Sequence, residues 1–239
     1  MIPSLTASTT YRLSSARRGE QGFIEFAQDE HAEHAGLDEI ETTTGTAADT
    51  PRRMPIYDPL DEPTRGMLEE NLAYAEGGET AICFATGMAA ISAALGVTVK
   101  QREEIITHQI LYGCTYSLLT NWLPRAGIRT RFVDLTDPRA LCQAITDKTR
   151  VVYFETPVNP TLQLIDIAAI RSVLDKVNQG CKHPIRIIVD NTFATPDCRR
   201  PLEHGADIIV HSLTKDIGGF GTDMGGAVIA SRDLHGLLM

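Results

Sequence analysis

The stretch DIIVHSLTKDIGGFGTDMGG, residues 207–226, runs from an unbroken apolar core, Ile208-Ile209-Val210, into one lysine and then into closely spaced glycines. An apolar run too short for a helix, with no polar alternation, reads as a strand buried on both faces, and such strands belong to sheets covered by helices. Lys215 then stands just beyond the carboxyl end of that strand. Five runs of the same kind lie upstream: TAICFA (80–85), EEIITH (103–108), RTRFVDL (129–135), RVVYFET (150–156) and RIIVDN (186–191).

Segments with helical spacing separate these runs: GMAAISAALGVTV (87–99), YSLLTNWLPRAG (116–127), PRALCQAITD (138–147) and IAAIRSVLDKVNQ (167–179). Ahead of them, TRGMLEENLAYAEGGE (64–79) predicts a helix stopped by Gly77-Gly78. The alternation predicts an α/β fold whose mostly parallel sheet is covered by helices on both faces. In such sheets ligands bind outside the carboxyl ends of the strands. Chemistry is therefore expected in FATGM (84–88), THQILYG (107–113), FETPVNP (154–160), VDNTFATP (189–196) and HSLTK (211–215).

Composition sets outer bounds. With 43% hydrophobic and 22% charged residues in 239, the chain is of ordinary soluble globular type. A net charge of −9 argues against a broad nucleic-acid surface, although local basic pockets remain compatible with it. The cysteines, Cys83, Cys114, Cys142, Cys181 and Cys198, form no CxxC pair, so neither a disulfide framework nor a metal site is expected, and reduced thiols point to the cytoplasm. No stretch of about 18 apolar residues suggests a membrane span. Residues 1–56 are polar and without period, and are expected to form an arm ahead of a main domain over 57–239.

Lys215 has two readings. A lysine on a rigid strand end, partly desolvated, has a weakened preference for the ammonium and can act as a nucleophilic amine toward an aldehyde. It can equally snorkel to solvent or meet a phosphate as a point charge. Ser212 and Thr214, three and one residues before it, offer hydroxyls to an anion. Thr86 suits the cap of a helix whose first N–H groups, from Gly87 and Met88, would face a phosphate, or merely an ordinary helix start. Asp190 closes an apolar strand, so it needs a cation or several donors, or else it caps the next turn through Asn191 and Thr192. Tyr112 can stack on a planar ligand or fill the core. Together these supply what pyridoxal 5′-phosphate (PLP) requires: an amine, a carboxylate for the ring nitrogen, a stacking ring and a phosphate cup.

In YFETPVNPT, IIVDNTFATP and PLEHGADIIVHSLTK the sequence resembles the Cys/Met-metabolism family of PLP enzymes, which includes cystathionine γ-synthase, cystathionine γ-lyase, methionine γ-lyase and O-acetylhomoserine sulfhydrylase. The resemblance runs from about Tyr57 onward and implies the fold type I, aspartate aminotransferase-like large domain of PLP-dependent transferases. It implies that Lys215 carries the cofactor's aldehyde and shuttles protons, that Asp190 pairs with the pyridinium, and that Tyr112 stacks on the ring and serves as acid/base. Gly87, Met88, Ser212 and Thr214 would hold the phosphate, with Thr86 in place of a usual serine. Asn159 matches the asparagine near the 3′-oxygen, while Glu155 and Thr192 match further pocket positions. Tyr57 matches a tyrosine that reaches a neighbouring subunit's cofactor, which implies a homodimer or homotetramer crossed by the N-terminal arm.

The departures are specific. Pro59 and Glu62 replace an arginine and an asparagine near the partner's phosphate, Asp216 replaces an aromatic residue, and Phe220 replaces a histidine. The family's smaller C-terminal domain, with its carboxylate-binding arginine, is expected to be absent from these residues. The implied activity is γ-elimination or γ-replacement on a sulfur amino acid or an activated homoserine. Cys114 sits where methionine γ-lyases carry a cysteine, which favours elimination, although a small buried hydrophobe would also suit the position. The rival is a PLP-binding relative with a regulatory role. A nucleotide-binding loop is disfavoured because GGFGTDMGG precedes the strand-like GGAVIAS and no GK[ST] follows.

Overall fold

The computed structural model of the protein describes residues 63–235. The expected arm, Tyr57, Pro59 and Glu62 lie outside them. Contacts divide the chain into two units, Met1–Leu68 and Glu69–Met239. In the first, the described residues belong to the opening turns of helix α1 (Pro63–Glu76).

The second unit is built on a seven-stranded sheet: β1 (Thr80–Phe84), β2 (Glu104–His108), β3 (Arg129–Val133), β4 (Thr149–Glu155), β5 (Arg186–Asp190), β6 (Ile208–Ser212) and β7 (Gly226–Ala230). Its order is β1-β7-β6-β5-β4-β2-β3. Strands β6, β5, β4, β2 and β3 are parallel, whereas β7 runs antiparallel to both β6 and β1. The sheet is thus mostly parallel, as the apolar runs predict. Strand β7 reverses because the glycine-rich segment after Lys215 returns without a helical crossover, and parallel neighbours need one. Since β1 points the same way as β6, the carboxyl ends of β1, β2, β4, β5 and β6 lie along one edge.

Both faces are covered. Helix α2 (Gly87–Thr98) buries Ala90, Ile91, Ala94 and Leu95 against Val151, Tyr153, Ile188, Val210 and Val228. On the other face, α4 (Pro138–Ala144) and α5 (Ile167–Asn178) bring Leu141, Ile170 and Leu174 onto Val152, Phe154, Ile187 and Val189. In α5 the buried Ile167, Ile170 and Leu174 recur at helical spacing, and Asp166 caps the first turn by accepting the Ala169 N–H at 3.0 Å. Burial of each such side chain is worth about 1.5–3 kcal/mol. Leu72, Ala73 and Ala81 close a smaller cluster with Ile209 and Ile229.

Two sequence expectations change. The helix expected over 116–127 is broken into a short α3 (Gly113–Ser117), a π turn (Leu118–Trp122) and a 3-10 turn (Leu123–Ala126). Pro124 has no N–H to continue an α ladder. Strand β3 forms the sheet edge, with Arg129, Arg131 and Phe132 exposed, so it is not apolar on both faces. Charged side chains suit an edge that must not pair with another chain. The short helices α6 (Thr195–Cys198) and α7 (Arg232–His235) and a 3-10 turn (Pro201–His204) complete the described elements, and none of the helices is long and apolar enough to cross a membrane.

Candidate active site

Thr86 follows β1 and opens α2 in the predicted way, its Oγ1 accepting the Ala89 N–H at 3.1 Å. This leaves the N–H groups of Gly87 and Met88 without an intrahelical acceptor, at the positive end of the helix dipole. The helix start is pressed against β6: a Cβ on Gly87 would lie 2.7 Å from Ser212 Cβ and 3.0 Å from its Oγ. Gly226, paired with Ser212 across the sheet, is equally constrained, since a Cβ there would meet the Thr86 carbonyl oxygen at 2.2 Å. Only bare backbone fits this junction. The Gly87 and Met88 amides and the Ser212 hydroxyl are thereby gathered in one place.

Asp190 ends β5. Its Oδ1 accepts the Thr192 N–H at 3.0 Å, and the hydroxyl of the fully buried Tyr153 lies 3.4 Å from its Oδ2. Both sequence readings of this aspartate are therefore met in part, because it caps the turn and still collects a second donor. Among the described residues no lysine or arginine pairs with it. Burial pushes its carboxyl up, while the Thr192 hydrogen bonds pull it down. An added cation at this carboxylate would relieve that burial.

Tyr112 precedes α3 with 42% of its surface exposed, so it does not fill the core. Its phenol is pushed up, first by the neighbouring Cys114 side chain and then by burial and Glu155. Cys114 is exposed, which removes the reading as a small buried hydrophobe. Glu155, at the end of β4, is buried: its Oε1 accepts the Tyr112 N–H at 2.7 Å and its Oε2 the Asn159 N–H at 3.4 Å. Burial, then the neighbouring Asp190, raise its carboxyl to about 7. Asn159 is partly buried in a loop with two cis peptide bonds, Thr156–Pro157 and Asn159–Pro160.

Beyond β6, Thr192 Oγ1 accepts the Ser212 N–H at 2.9 Å and so ties two strand ends together. Thr214 Oγ1 accepts the Gly225 N–H at 3.2 Å and lies 3.4 Å from the Gly225 carbonyl, which turns its hydroxyl toward the returning chain. Lys215 lies in a turn closed by its own N–H to the Ser212 carbonyl at 3.2 Å and by the Gly219 N–H to the Lys215 carbonyl at 2.9 Å. It is exposed, not partly desolvated as the strand-end reading expects, because the turn carries it past the buried strand. Asp216 and Phe220 are exposed as well.

Sequence reasoning missed Tyr153 and the structural part of Glu155. The signal was present, since residues two apart on β4 share a face and Glu155 stands opposite Asp190 in register. It also missed a polar cluster on the opposite face. There, fully buried Glu76 accepts from Asn191 Nδ2 at 2.8 Å and pairs with His211 Nε2, and Asn191 Nδ2 also donates to the Arg199 carbonyl at 2.9 Å.

These residues fit PLP. A buried carboxylate supported only by neutral donors suits a protonated ring nitrogen, the helix start beside Ser212 suits a phosphate, and an exposed amine and an exposed phenol border the same edge. The comparisons agree. The family described as Cys/Met metabolism PLP-dependent enzyme matches residues 37–237. An L-methionine gamma-lyase of Pseudomonas putida is 39% identical over 75% of this chain and 44% of its own length. An O-acetyl-L-homoserine sulfhydrylase of Leptospira meyeri is 44% identical over 73% of this chain and 38% of its own, and a probable cystathionine gamma-synthase of Herpetosiphon aurantiacus 41% over 74% and 53%. The chain thus spans about half the length of the curated relatives it matches. With the extent of these matches and the geometry of the strand ends in agreement, the chain belongs to the Cys/Met-metabolism family of PLP-dependent enzymes.

Proposed function

We propose that the protein binds PLP at this edge and acts on the γ-carbon of a sulfur amino acid or an activated homoserine, by elimination or replacement. The observation that carries the reading is Asp190, a buried carboxylate hydrogen-bonded by Thr192 and Tyr153 with no lysine or arginine partner among the described residues, on the same edge as the α2 N-terminus and Lys215. When bound, the cofactor supplies an electron sink for negative charge at the substrate's α-carbon. Asp190 would hold the ring nitrogen protonated. Gly87, Met88 and Ser212 would hold the phosphate, with Thr86 setting the helix start and Thr192 fixing Ser212. Thr214 would support the turn that carries Lys215. The Lys215 amine would carry the cofactor's aldehyde and move protons between substrate carbons. The Tyr112 ring would lie on the cofactor, and its phenol, kept protonated by its surroundings, would donate to the departing γ group.

Names of the relatives support a methionine γ-lyase-like elimination as readily as synthase chemistry. The exposed Cys114 beside the Tyr112 phenol favours elimination, because a thiol there can tune the proton donor. Asn159 would approach the cofactor's 3′-oxygen. A cytoplasmic homodimer or homotetramer, with Tyr57 reaching a neighbouring site, completes the reading.

The test is direct. The protein mixed with PLP should gain a visible absorption band, and borohydride should then fix one cofactor mass covalently, while Lys215→Ala should retain none. Release of a 2-oxo acid with thiol or ammonia from methionine or cystathionine should follow in the loaded protein. Failure of wild type to be fixed by borohydride would overturn the assignment of Lys215, and fixation without product release would reduce the protein to a PLP binder.

A further inference from the structure

Glu155 joins three segments of the candidate site without facing solvent. It is 5% exposed, accepts the Tyr112 N–H at 2.7 Å across 43 residues of sequence, accepts the Asn159 N–H at 3.4 Å, and stands opposite Asp190 in the parallel register of β4 and β5. Tyr112 has no side-chain cap on α3, and its ring is exposed. Apart from the Tyr116 N–H on its own carbonyl at 2.9 Å, the Glu155 carboxylate is the polar anchor the structure shows for the Tyr112 backbone. We propose that Glu155 is a positioning residue that ties the Tyr112 ring to the charge on Asp190: ionised, it holds the Tyr112 backbone at the site, and protonated, it releases it.

The physical basis is the competition between two buried carboxylates. Facing groups on β4 and β5 and on the loops are Asp190, Tyr153, Tyr112, Asn159 and Cys114, and from β6 His211, paired with Glu76, acts on Asp190 from the other face; no lysine or arginine pairs with either carboxylate among the described residues. Like charges on neighbouring strands disfavour joint ionisation, so one proton is retained by the pair in the cofactor-free protein, with Glu155 titrating at about 7. A carboxylate accepts a backbone N–H far better than a carboxylic acid does, since charge-assisted hydrogen bonds are about twice as strong as neutral ones. A cation placed at Asp190 satisfies that carboxylate and weakens its repulsion of Glu155. Glu155 then ionises more fully and the Tyr112 loop tightens. Occupancy of the ring-nitrogen position and placement of the stacking ring become one event.

This inference deepens the PLP reading but is tested without cofactor. In the cofactor-free full chain, the amide resonance of Tyr112 should shift on titration from pH 8 to pH 5, and its hydrogen-exchange protection should fall by about tenfold. In Glu155→Gln, which keeps an acceptor but has no proton to gain, both should be flat across that range. A flat Tyr112 amide in wild type, or a titration that survives in Glu155→Gln, would overturn the proposal. In a second arm, the ratio of PLP affinities at pH 8 and pH 5 should be smaller in Glu155→Gln than in wild type, the dependence set by the Lys215 amine and the cofactor's phosphate remaining, and in a folded Glu155→Ala the affinity should fall by about tenfold or more. Unchanged affinity in Glu155→Ala would also overturn it. Absence of PLP binding in wild type would sink the proposed function and leave the amide titration to decide the position of Tyr112.

Discussion

Asp190 and Asn191 are consecutive residues at the end of one strand, yet their side chains meet opposite fates. Successive strand residues point to opposite faces. Asn191, on the face closed by α1, is fully buried and spends its amide on Glu76 and on the Arg199 carbonyl. Asp190, on the other face, keeps a carboxylate whose hydrogen bonds come from Thr192 and Tyr153, with no lysine or arginine partner among the described residues. The same contrast recurs on β6, where His211 pairs with Glu76 while Ser212 abuts the start of α2. On one face of the strand ends Glu76, Asn191 and His211 pair with one another, although Glu76 Oε2, Asn191 Oδ1 and His211 Nδ1 are left without a hydrogen-bond partner, while on the other Asp190 has no lysine or arginine partner among the described residues. Removing charge should therefore have opposite consequences on the two sides.

The largest effect is expected on the closed face. Glu76→Ala strands His211 and Asn191 in the core without their shared acceptor, a class of change that costs about 3–5 kcal/mol. Urea titration should show this as a lowered midpoint with unchanged slope. An unaltered midpoint would mean that the cluster does not hold β5 and β6 together.

On the open face the sign reverses. Glu155 and Asp190 bind protons more tightly when folded than when unfolded, so the cofactor-free protein should lose stability as pH rises. For Glu155 the loss accumulates between its ordinary 4.5 and about 7 and is on the order of 3 kcal/mol. Asp190→Asn should accordingly raise the thermal midpoint of the cofactor-free protein at pH 8 more than at pH 5, while weakening PLP retention. A midpoint that fell at both pH values would remove the distinction between the faces. The smallest effect should come from Thr86→Ala, which deletes the α2 cap at a cost of about 1 kcal/mol by thermal unfolding. It leaves the Gly87 and Met88 amides in place, so PLP affinity should change far less than stability does.

Much of this arrangement is legible in the residues themselves. Unbroken apolar runs identify the parallel strands, and the rule that ligands gather at the carboxyl ends of such strands points to Thr86, Tyr112, Asp190, Ser212 and Lys215, whereas Glu155 and Asn159 are singled out only by the family resemblance. The cap of α2 follows from a hydroxyl placed before Gly-Met-Ala-Ala. What failed concerned surroundings. The exposure of Lys215 depends on a turn closed by its own backbone, and that of Cys114 on where the first turn of α3 sits. Neither is a property of residue type or spacing.

The sequence by itself determined which segments are strands, which residues stand at their ends, and which chemistry those residues can support, because apolar patterning and side-chain functional groups are local properties. Only the tertiary structure decided that β7 returns antiparallel, that Glu155 is a buried anchor for Tyr112, and that Glu76 reaches across more than a hundred residues to His211 and Asn191. Hydrogen bonds between distant segments depend on strand order and register, which arise when the chain is packed. The charge on a carboxylate likewise depends on what surrounds it. Glu155 reads as a polar residue at the end of an apolar run, and it becomes a switch only where β4 lies beside β5.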